Sequence, residues 1–318
     1  MRLWILIFLF LIVNATIAAP LPYPIKPIRL VSPYPPGGFN DILSRLVGQK
    51  LSEKWAHPVV IDNRPGANMI VGTNVVAKSP ADGYTLLMSA VPHVINPALY
   101  KLPFDPIKDF TPIIDIVSVP SLLVVHPSVP VSSVRELINF AKSNPDKLTF
   151  ASVGSGSSMH LAGEMFKLMA GINMVHVPYK GAAPAITDLI AGRSLVYFGN
   201  IVSVMPQVKN NRLRALATTE LKRSSAAPEL PTIAESGVPN YSAGSWYGLM
   251  GPAGMEKNII NKINHEVIEL TKMADVKERF LKDGAETVAS TPQEFLETIK
   301  IDIEKWGKVV AATGARVD

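Results

Sequence analysis

The sequence predicts an α/β protein with mostly parallel sheets. Short, partly β-branched apolar runs alternate with segments of helical periodicity through most of the 318 residues, and this alternation is typical of βαβ units. Several apolar runs end in turns rich in Gly, Ser and Pro, at the strand ends where such sheets bind ligands. The chain contains no cysteine, so burial of its core must stabilise it, and about 300 residues are enough for that.

The first nineteen residues have the pattern of a secretory signal peptide. Arg2 precedes an unbroken apolar run from Leu3 to Val13, and small residues follow as far as Ala19. We expect residues 1–18 to be removed by cleavage after Ala18. The apolar run is shorter than the ~20 residues that a membrane span needs, and without cysteine no lipid can be attached. These features predict a soluble periplasmic protein that is not a lipoprotein.

The first predicted strand, Ile28–Val31, leads into a turn with paired prolines and paired glycines, and a helix over Asp41–Lys54 follows. Paired glycines allow positive φ and a close approach of the backbone to another molecule. Unpaired N–H groups at a helix start bind carboxylates and phosphates. The turn therefore predicts an anion pocket made of backbone, with an ordinary strand-to-helix turn as the alternative. We interpret Asp41 as a helix cap, with a contact to a ligand amino group or to bridging water as the alternative.

The remaining elements follow the same alternation. The predicted strands are Pro58–Ile61, Thr85–Met88, Ser121–His126, Thr149–Ala151, Met174–Val177, Leu195–Phe198 and Leu213–Thr218. The predicted helices between them are Val134–Asn144, His160–Met169 and Ala183–Ala191. From about Lys257 the pattern changes to amphipathic helices, over Asn258–Met273, Asp275–Asp283 and Pro292–Ala312. Their apolar stripes indicate core contacts and no chemistry.

A second turn rich in small residues, Ser152–His160, follows the predicted strand Thr149–Ala151 and opens a helix. Its hydroxyls and backbone N–H groups make it a second candidate for an anion site. In a third turn, Lys180 could face an anionic ligand or simply solvent. The turns Asp62–Gly66 and Ser79–Gly83 are interpreted as scaffold.

The sequence carries no recognised catalytic, metal or cofactor motif. Gly154-Ser155-Gly156 lacks the G-x-S-x-G spacing of a nucleophile elbow, so a secreted serine hydrolase stays an alternative that Ser155→Ala would test. The six histidines show no H-E-x-x-H pattern, and neither a phosphate loop nor a dinucleotide fingerprint is present. Charges are scattered, with a formal net charge of +5, which argues against a nucleic-acid partner.

Motifs in a fixed order resemble those of the Bug (TctC-type) extracytoplasmic solute receptors, the substrate-binding proteins of tripartite tricarboxylate transporters. They include Pro35-Pro-Gly-Gly-x-x-Asp41, Pro58-Val-Val-Ile-Asp-Asn-Arg-Pro-Gly66, Asp82-Gly-Tyr-Thr-Leu-Leu87, His176-Val-Pro-Tyr-Lys-Gly181 and Trp246-x-Gly-Leu249. The resemblance implies a type II periplasmic-binding-protein fold, in which two α/β domains are joined by two crossover strands around a ligand cleft. Domain I would comprise residues 20–122 and 243–318, and domain II residues 123–242. The candidate crossover strands are Ser121–Pro127 and Ser245–Pro252.

The resemblance also implies that backbone N–H groups of both loops hold a carboxylate. Its candidate contacts in domain I are Tyr34, Pro36, Gly37, Gly38, Phe39, Asn40, Asp41, Ser89 and Ala90. Those in domain II are Ser152, Gly154, Ser155, Gly156, Ser157, Ser158, His160, Tyr179, Lys180, Gly181 and Asn200. Family members often carry a small residue or Pro and then Thr or Ser where this chain has Phe39-Asn40. Phe39 would add an aromatic face and Asn40 a donor and an acceptor, so the ligand could be an aromatic or mixed-polarity carboxylate.

The function implied by the resemblance is capture of a small organic carboxylate, closure around it, and delivery to the membrane components of a tripartite tricarboxylate-type transporter. Such a receptor is not an enzyme and needs no cofactor or metal. Two alternatives share most of this chemistry. The receptor could present its ligand to the sensor domain of a kinase, or its solute could be uncharged or cationic.

Overall fold

The computed structural model describes residues 23–317, and the predicted signal peptide lies outside them. The described strands are β1 (Ile28–Ser32), β2 (Val59–Asn63), β3 (Thr85–Ala90), β4 (Phe110–Val119), β5 (Ser121–Val125), β6 (Thr149–Ser152), β7 (Val175–Pro178), β8 (Val196–Asn200), β9 (Arg214–Thr218), β10 (Ser245–Pro252) and β11 (Glu286–Thr287). The described helices are α1 (Phe39–Trp55), α2 (Ile70–Ala77), α3 (Pro92–Leu99), α4 (Val134–Ser143), α5 (Ser158–Ala170), α6 (Ala182–Ile190), α7 (Ile201–Lys209), α8 (Lys257–Lys272), α9 (Ala274–Lys282) and α10 (Pro292–Thr313). None of these helices has the length and apolar composition of a membrane span.

The strands form two sheets. The first has the order β11-β4-β10-β3-β1-β2, and the second has the order β7-β6-β8-β5-β9. Parallel pairs such as β1 with β2 and β6 with β8 occur beside antiparallel pairs such as β10 with β3 and β5 with β8. The expectation of mostly parallel sheets is therefore wrong. The strands β4, β5 and β10 belong to the connections between the sheets and run against their neighbours.

The chain passes between the sheets twice. Strands β4 and β5 are separated only by Pro120 and belong to different sheets. The return runs through residues 219–244, after which β10 rejoins the first sheet beside β4. Each predicted crossover strand, Ser121–Pro127 and Ser245–Pro252, thus pairs within one sheet only. The chain changes sheet at Pro120, just before Ser121–Pro127, and through residues 219–244, just before Ser245–Pro252.

The elements missing from the predicted set include β4, the two-residue β11, α3 and α7. Proline explains why the pattern missed the two helices, because α3 begins at Pro92 and contains Pro97, and α7 contains Pro206. Proline inside a short segment usually argues against a helix. Strand β4 contains Pro112 and pairs with β10 through two register shifts, so its alternation is irregular.

The C-terminal helix α10 packs against α3, β4 and α5, and so contacts elements on both sheets. It begins with a capping box, in which the Thr291 hydroxyl accepts from the Glu294 N–H and the Glu294 carboxylate accepts from the Thr291 N–H. Trp306 near its end is buried. The core therefore continues across the connection, and the loops at the facing strand ends are held opposite each other.

Candidate functional site

A cavity of about 460 Å³ lies between the loops of the two sheets. On the side of the first sheet it is lined by Tyr34, Gly38, Phe39, Asn40, Asn68, Pro92, Ser245 and Tyr247. On the side of the second sheet it is lined by Val153, Ser157, Ser158, Met159, Gly181, Ala182 and Asn200. None of these fifteen residues carries an ionisable group other than a tyrosine hydroxyl. The polarity of the cavity must therefore come from neutral side chains and from the backbone.

Five of the described helices begin at this cavity. Its lining includes the residue that caps or starts each of them: Gly38 for α1, Pro92 for α3, Ser157 for α5, Gly181 for α6 and Asn200 for α7. The first N–H groups of a helix have no partner within the helix, and the helix dipole places about half a positive charge there. The five dipoles make the cavity electropositive without a cation. Among the first helical residues, only those of α1, α5 and α6 can offer an N–H donor, because Pro92 of α3 has no N–H and the Ile201 N–H of α7 donates to the Pro120 carbonyl at 3.0 Å. Such a site favours an anion, above all a carboxylate that can accept several N–H groups.

The loop before α1 is fixed by Asp41, whose side chain is buried. Its carboxylate accepts the Gly37 N–H at 2.9 Å, Arg45 Nε at 3.0 Å and Asn63 Nδ2 at 2.9 Å. Burial alone would raise the pKa of Asp41, but these hydrogen bonds and the charge of Arg45 lower it to about 2. Asp41 therefore holds the turn, as the cap interpretation expects, and also occupies the Gly37 N–H. The turn needs glycine at position 37 because φ there is +91°.

Asn40 lies at the cavity, but its amide is already engaged. Its Oδ1 accepts the Ser32 hydroxyl at 2.8 Å and its Nδ2 donates to the Met88 carbonyl at 2.9 Å. The residue is 3% exposed. The amide therefore ties α1 to β1 and β3, and what Asn40 has left for a ligand is the second N–H and the second lone pair of that amide.

Two tyrosines and Phe39 form the wall on the first sheet. The Phe39 ring packs edge-on against Tyr247, with 4.8 Å between ring centroids. Burial raises the pKa of Tyr247 to about 12 and also raises the pKa of Tyr34 above its ordinary value. Both phenols consequently stay neutral at physiological pH. They present hydroxyl groups and ring faces, and no charge, to a ligand.

The loop before α5 is held by its own hydroxyl groups and by two histidines. The Ser157 hydroxyl donates to the Gly154 carbonyl at 2.7 Å and accepts the His160 N–H at 3.2 Å. The Gly156 N–H donates to His160 Nδ1 at 3.0 Å. The His160 ring stacks on that of His176 with a centroid distance of 3.8 Å. The two histidines therefore stabilise the loop from outside the cavity, while Ser157 and Ser158 line the cavity.

The structure brings eight of the predicted site residues to the cavity: Tyr34, Gly38, Phe39, Asn40, Ser157, Ser158, Gly181 and Asn200. The other twelve do not line it: Pro36, Gly37, Asp41, Ser89, Ala90, Ser152, Gly154, Ser155, Gly156, His160, Tyr179 and Lys180. Ser89 and Ala90 are buried in β3. The Tyr179 hydroxyl donates to Asp188 at 3.1 Å, and Lys180 is exposed.

Seven lining residues were not predicted: Asn68, Pro92, Val153, Met159, Ala182, Ser245 and Tyr247. Asn68 belongs to the segment Ala67–Met69, in which three successive residues have φ of +46°, +49° and +78°. Its Nδ2 donates to Asn96 Oδ1 at 2.8 Å. Met159 and Ala182 lie in the first turns of α5 and α6, each one residue before the predicted helix start at His160 or Ala183. Within the described residues, no group of three or more His, Cys, Asp or Glu could hold a metal ion.

Comparison with known proteins supports a single family. Residues 43–315 match the model of the family described as "Tripartite tricarboxylate transporter family receptor". The chain is 36% identical to Protein BugT of Bordetella pertussis over 312 residues, which cover 96% of each protein.

Solved structures similar to the chain include "R. palustris Rpa4515 with adipate", at 36% identity and a TM-score of 0.80, covering 93% of this chain and 100% of the other. Another is "MatC (Rpa3494) from Rhodopseudomonas palustris with bound malate", at 27% identity and a TM-score of 0.76, covering 91% and 100%. A third is "Structure of periplasmic binding protein BugD", at 30% identity and a TM-score of 0.76, covering 93% and 100%. These likenesses confirm the predicted type II fold class.

Proposed function

Because the chain belongs to the tripartite tricarboxylate transporter receptor family, we propose that it captures a small organic carboxylate in the cavity between its two sheets. Family and fold are those of solute-binding receptors and not of enzymes. The receptor then closes around the carboxylate and delivers it to the membrane components of a tripartite tricarboxylate-type transporter. The observation that carries this proposal is the meeting of five helix starts at a cavity without a charged lining residue.

A carboxylate suits this cavity for two reasons. Its two oxygens can accept several hydrogen bonds at once, and the N–H groups at the starts of α1 and α5 are directional donors. The absence of a cationic side chain also means that the anion is not locked into an ion pair and can be released. Structural neighbours of this chain hold adipate and malate, which are both carboxylates.

Closure requires that each sheet's loops contribute contacts, because a ligand shifts an equilibrium only by its differential affinity for the two states. We take the moving bodies to be the two predicted domains, residues 20–122 with 243–318 and residues 123–242, with the first boundary moved to Pro120 because β5 pairs wholly within the second sheet. Besides the connection at Pro120, Glu286 of β11 accepts the Ser224 hydroxyl and the Ser225 N–H, both at 2.7 Å. This contact joins the two bodies beside the chain crossings, where a hinge would have to bend.

The test is a thermal-shift panel on the protein without residues 1–18, unfolded and refolded to remove carried-over ligand. The panel contains mono-, di- and tricarboxylates, each beside its amide. A ligand at about 100 times its Kd adds about 2.7 kcal/mol to the free energy of unfolding, which raises Tm by a few degrees. A shift with an acid and not with its amide supports the proposal. Equal shifts with acid and amide, or none with any acid, contradict it.

A pair of variants locates the binding to the cavity. Ser158→Asp places a negative charge in the first turn of α5, at the cavity, and should abolish the shift. Asn258→Asp places the same charge in the first turn of α8, on an exposed residue away from the cavity, and should leave it unchanged. Equal binding by both variants would contradict this placement of the site.

Export and the membrane partner are tested separately. N-terminal sequencing of the exported protein should show a start at Ala19. Uptake of the identified carboxylate should require both this receptor and the transporter's membrane proteins. Binding of the closed form to a sensor domain, with uptake unaffected by deletion of the receptor, would favour the signalling alternative.

A further inference from the structure

A second chamber, of about 280 Å³, adjoins the cavity. The two share four lining residues: Phe39, Met159, Ala182 and Asn200. The chamber adds Ile42, Val119, Val202, Ser203 and Asp283. Its walls therefore come from α1, α5, α6 and α7 and from the end of β4, beside the point where the chain changes sheet.

The chamber is mainly apolar, unlike the backbone-lined part of the cavity. Phe39, Ile42, Val119, Met159, Ala182 and Val202 make up most of its wall. Val202 is 43% exposed, so apolar surface remains for a ligand to cover. Burial of such surface is favourable at roughly 25 cal/mol per Å². The chamber therefore suits a hydrocarbon group.

A second carboxylate is unsuited to the chamber. Its acidic residue, Asp283, lies at the wall and forms an ion pair with Arg279 at 2.6 Å. Because Arg279 neutralises Asp283 and none of the nine lining residues is cationic, a second carboxylate would lose its water here without gaining a partner. The chamber also begins next to the helix starts that are proposed to hold the carboxylate, because Phe39 is the first residue of α1 and Met159 the second of α5.

We infer that this receptor is selective for monocarboxylates that carry an apolar, aromatic or branched tail. The inference rests on the proposed function: the helix starts hold the carboxylate and the chamber takes the tail. Phe39 provides a ring face whose orientation is fixed by its edge-on contact with Tyr247. Phe39 and Val202 are then the residues that determine tail specificity.

The test is titration calorimetry with four probes: propanoate, 3-phenylpropanoate, its amide, and adipate. Each methylene buried in the chamber should tighten binding roughly fourfold, so 3-phenylpropanoate should bind roughly 50-fold or more tightly than propanoate. Its binding should show a more negative heat-capacity change, the mark of apolar burial. The amide should bind far more weakly than the acid.

Two matched variants test the location of the tail. Val202→Asn changes a chamber residue at the second position of α7. Val71→Asn changes a valine of similar exposure, 46% against 43%, at the second position of α2 and outside both cavities. We expect Val202→Asn to weaken 3-phenylpropanoate roughly fivefold and leave propanoate unchanged, and Val71→Asn to affect neither.

The outcomes separate this inference from the proposed function. Tight binding of adipate with no gain from the phenyl group would refute the tail selectivity and leave a carboxylate receptor standing. Equal binding of 3-phenylpropanoate and its amide would refute the carboxylate proposal. An equal effect of both valine variants would overturn the assignment of the tail to the chamber.

Discussion

Asp41 gives the most direct test of how the cavity is built. Its carboxylate accepts the Gly37 N–H and also accepts from Arg45 and Asn63. The substitution Asp41→Asn keeps the size of the side chain and one acceptor oxygen but removes the charge. We expect it to lower both the stability of the protein and the order of the turn that presents the start of α1.

The size of the effect follows from the pKa. The difference between the ordinary value of 3.8 and about 2 corresponds to about 2 kcal/mol of stabilisation above pH 4. A single hydrogen bond to a charged group is worth about 1.5–3 kcal/mol, a range that includes this figure. Because the folded-state pKa is lowered, this stability is complete above the unfolded-state pKa and is lost as the pH falls towards 2.

Urea denaturation of the wild type and of Asp41→Asn at pH 7 and at pH 3 measures this. The variant should be less stable by about 2 kcal/mol at pH 7, and roughly half of that difference should remain at pH 3. The control is Glu304→Gln, which breaks an exposed pair with Lys308 on α10 and should cost under about 0.5 kcal/mol. A difference below that of the control, or one independent of pH, would refute the assigned role of Asp41.

Three further predictions concern the scaffold. Gly37→Ala should lower the free energy of unfolding by about 1–2 kcal/mol, because φ at this position is +91° and strains any residue other than glycine. Gly38→Ala, at φ −80° and with no atom near the added Cβ, should keep the stability and weaken ligand binding. Urea titration and calorimetry of both variants distinguish these effects, and equal stabilities would contradict the strain argument. Burial and a neighbouring carboxylate raise the pKa of Asp115 from 3.8 to about 8, so the stability of the protein should fall as the pH rises between these values. Asp115→Asn should reduce this fall in a profile of Tm against pH, and an unchanged slope would contradict the role of Asp115. Gly163→Ala should cost about 1–3 kcal/mol because its Cβ would lie 2.4 Å from the Phe150 ring, and a neutral result in urea would show that the ring can move.

The sequence predicted the parts of the cavity that local chemistry determines. The sequence alone predicts the turn at Pro35–Gly38 and the Ser-rich turn before α5, because prolines, glycines and cap hydroxyls act on the backbone within a few residues. Gly38, Ser157 and Gly181 could therefore be placed in the turns before predicted helices from the sequence, and the structure puts all three at one cavity.

The rest depends on contacts between distant parts of the chain. Tyr247 reaches the cavity because β10 pairs with β3, which is some 160 residues earlier. Asn68 reaches it through a run of left-handed residues that no turn motif signals. Asn40 was assigned to the ligand because an amide can serve either purpose, and only the positions of Ser32 and Met88 show that it ties strands together. Side-chain partners of this kind have no local pattern.

The helix starts around the cavity divide the site into a fixed part and an exchangeable part. A backbone N–H survives almost every substitution, so replacing a lining side chain by another neutral one leaves the N–H groups that bind the anion in place. The apolar wall is made of side chains, and one nucleotide change at Phe39 or Val202 can reshape it. Descendants of this gene can therefore change the solute they bind while they keep the ability to bind a carboxylate. Paralogues within one genome can diverge in ligand specificity without passing through a receptor that binds nothing.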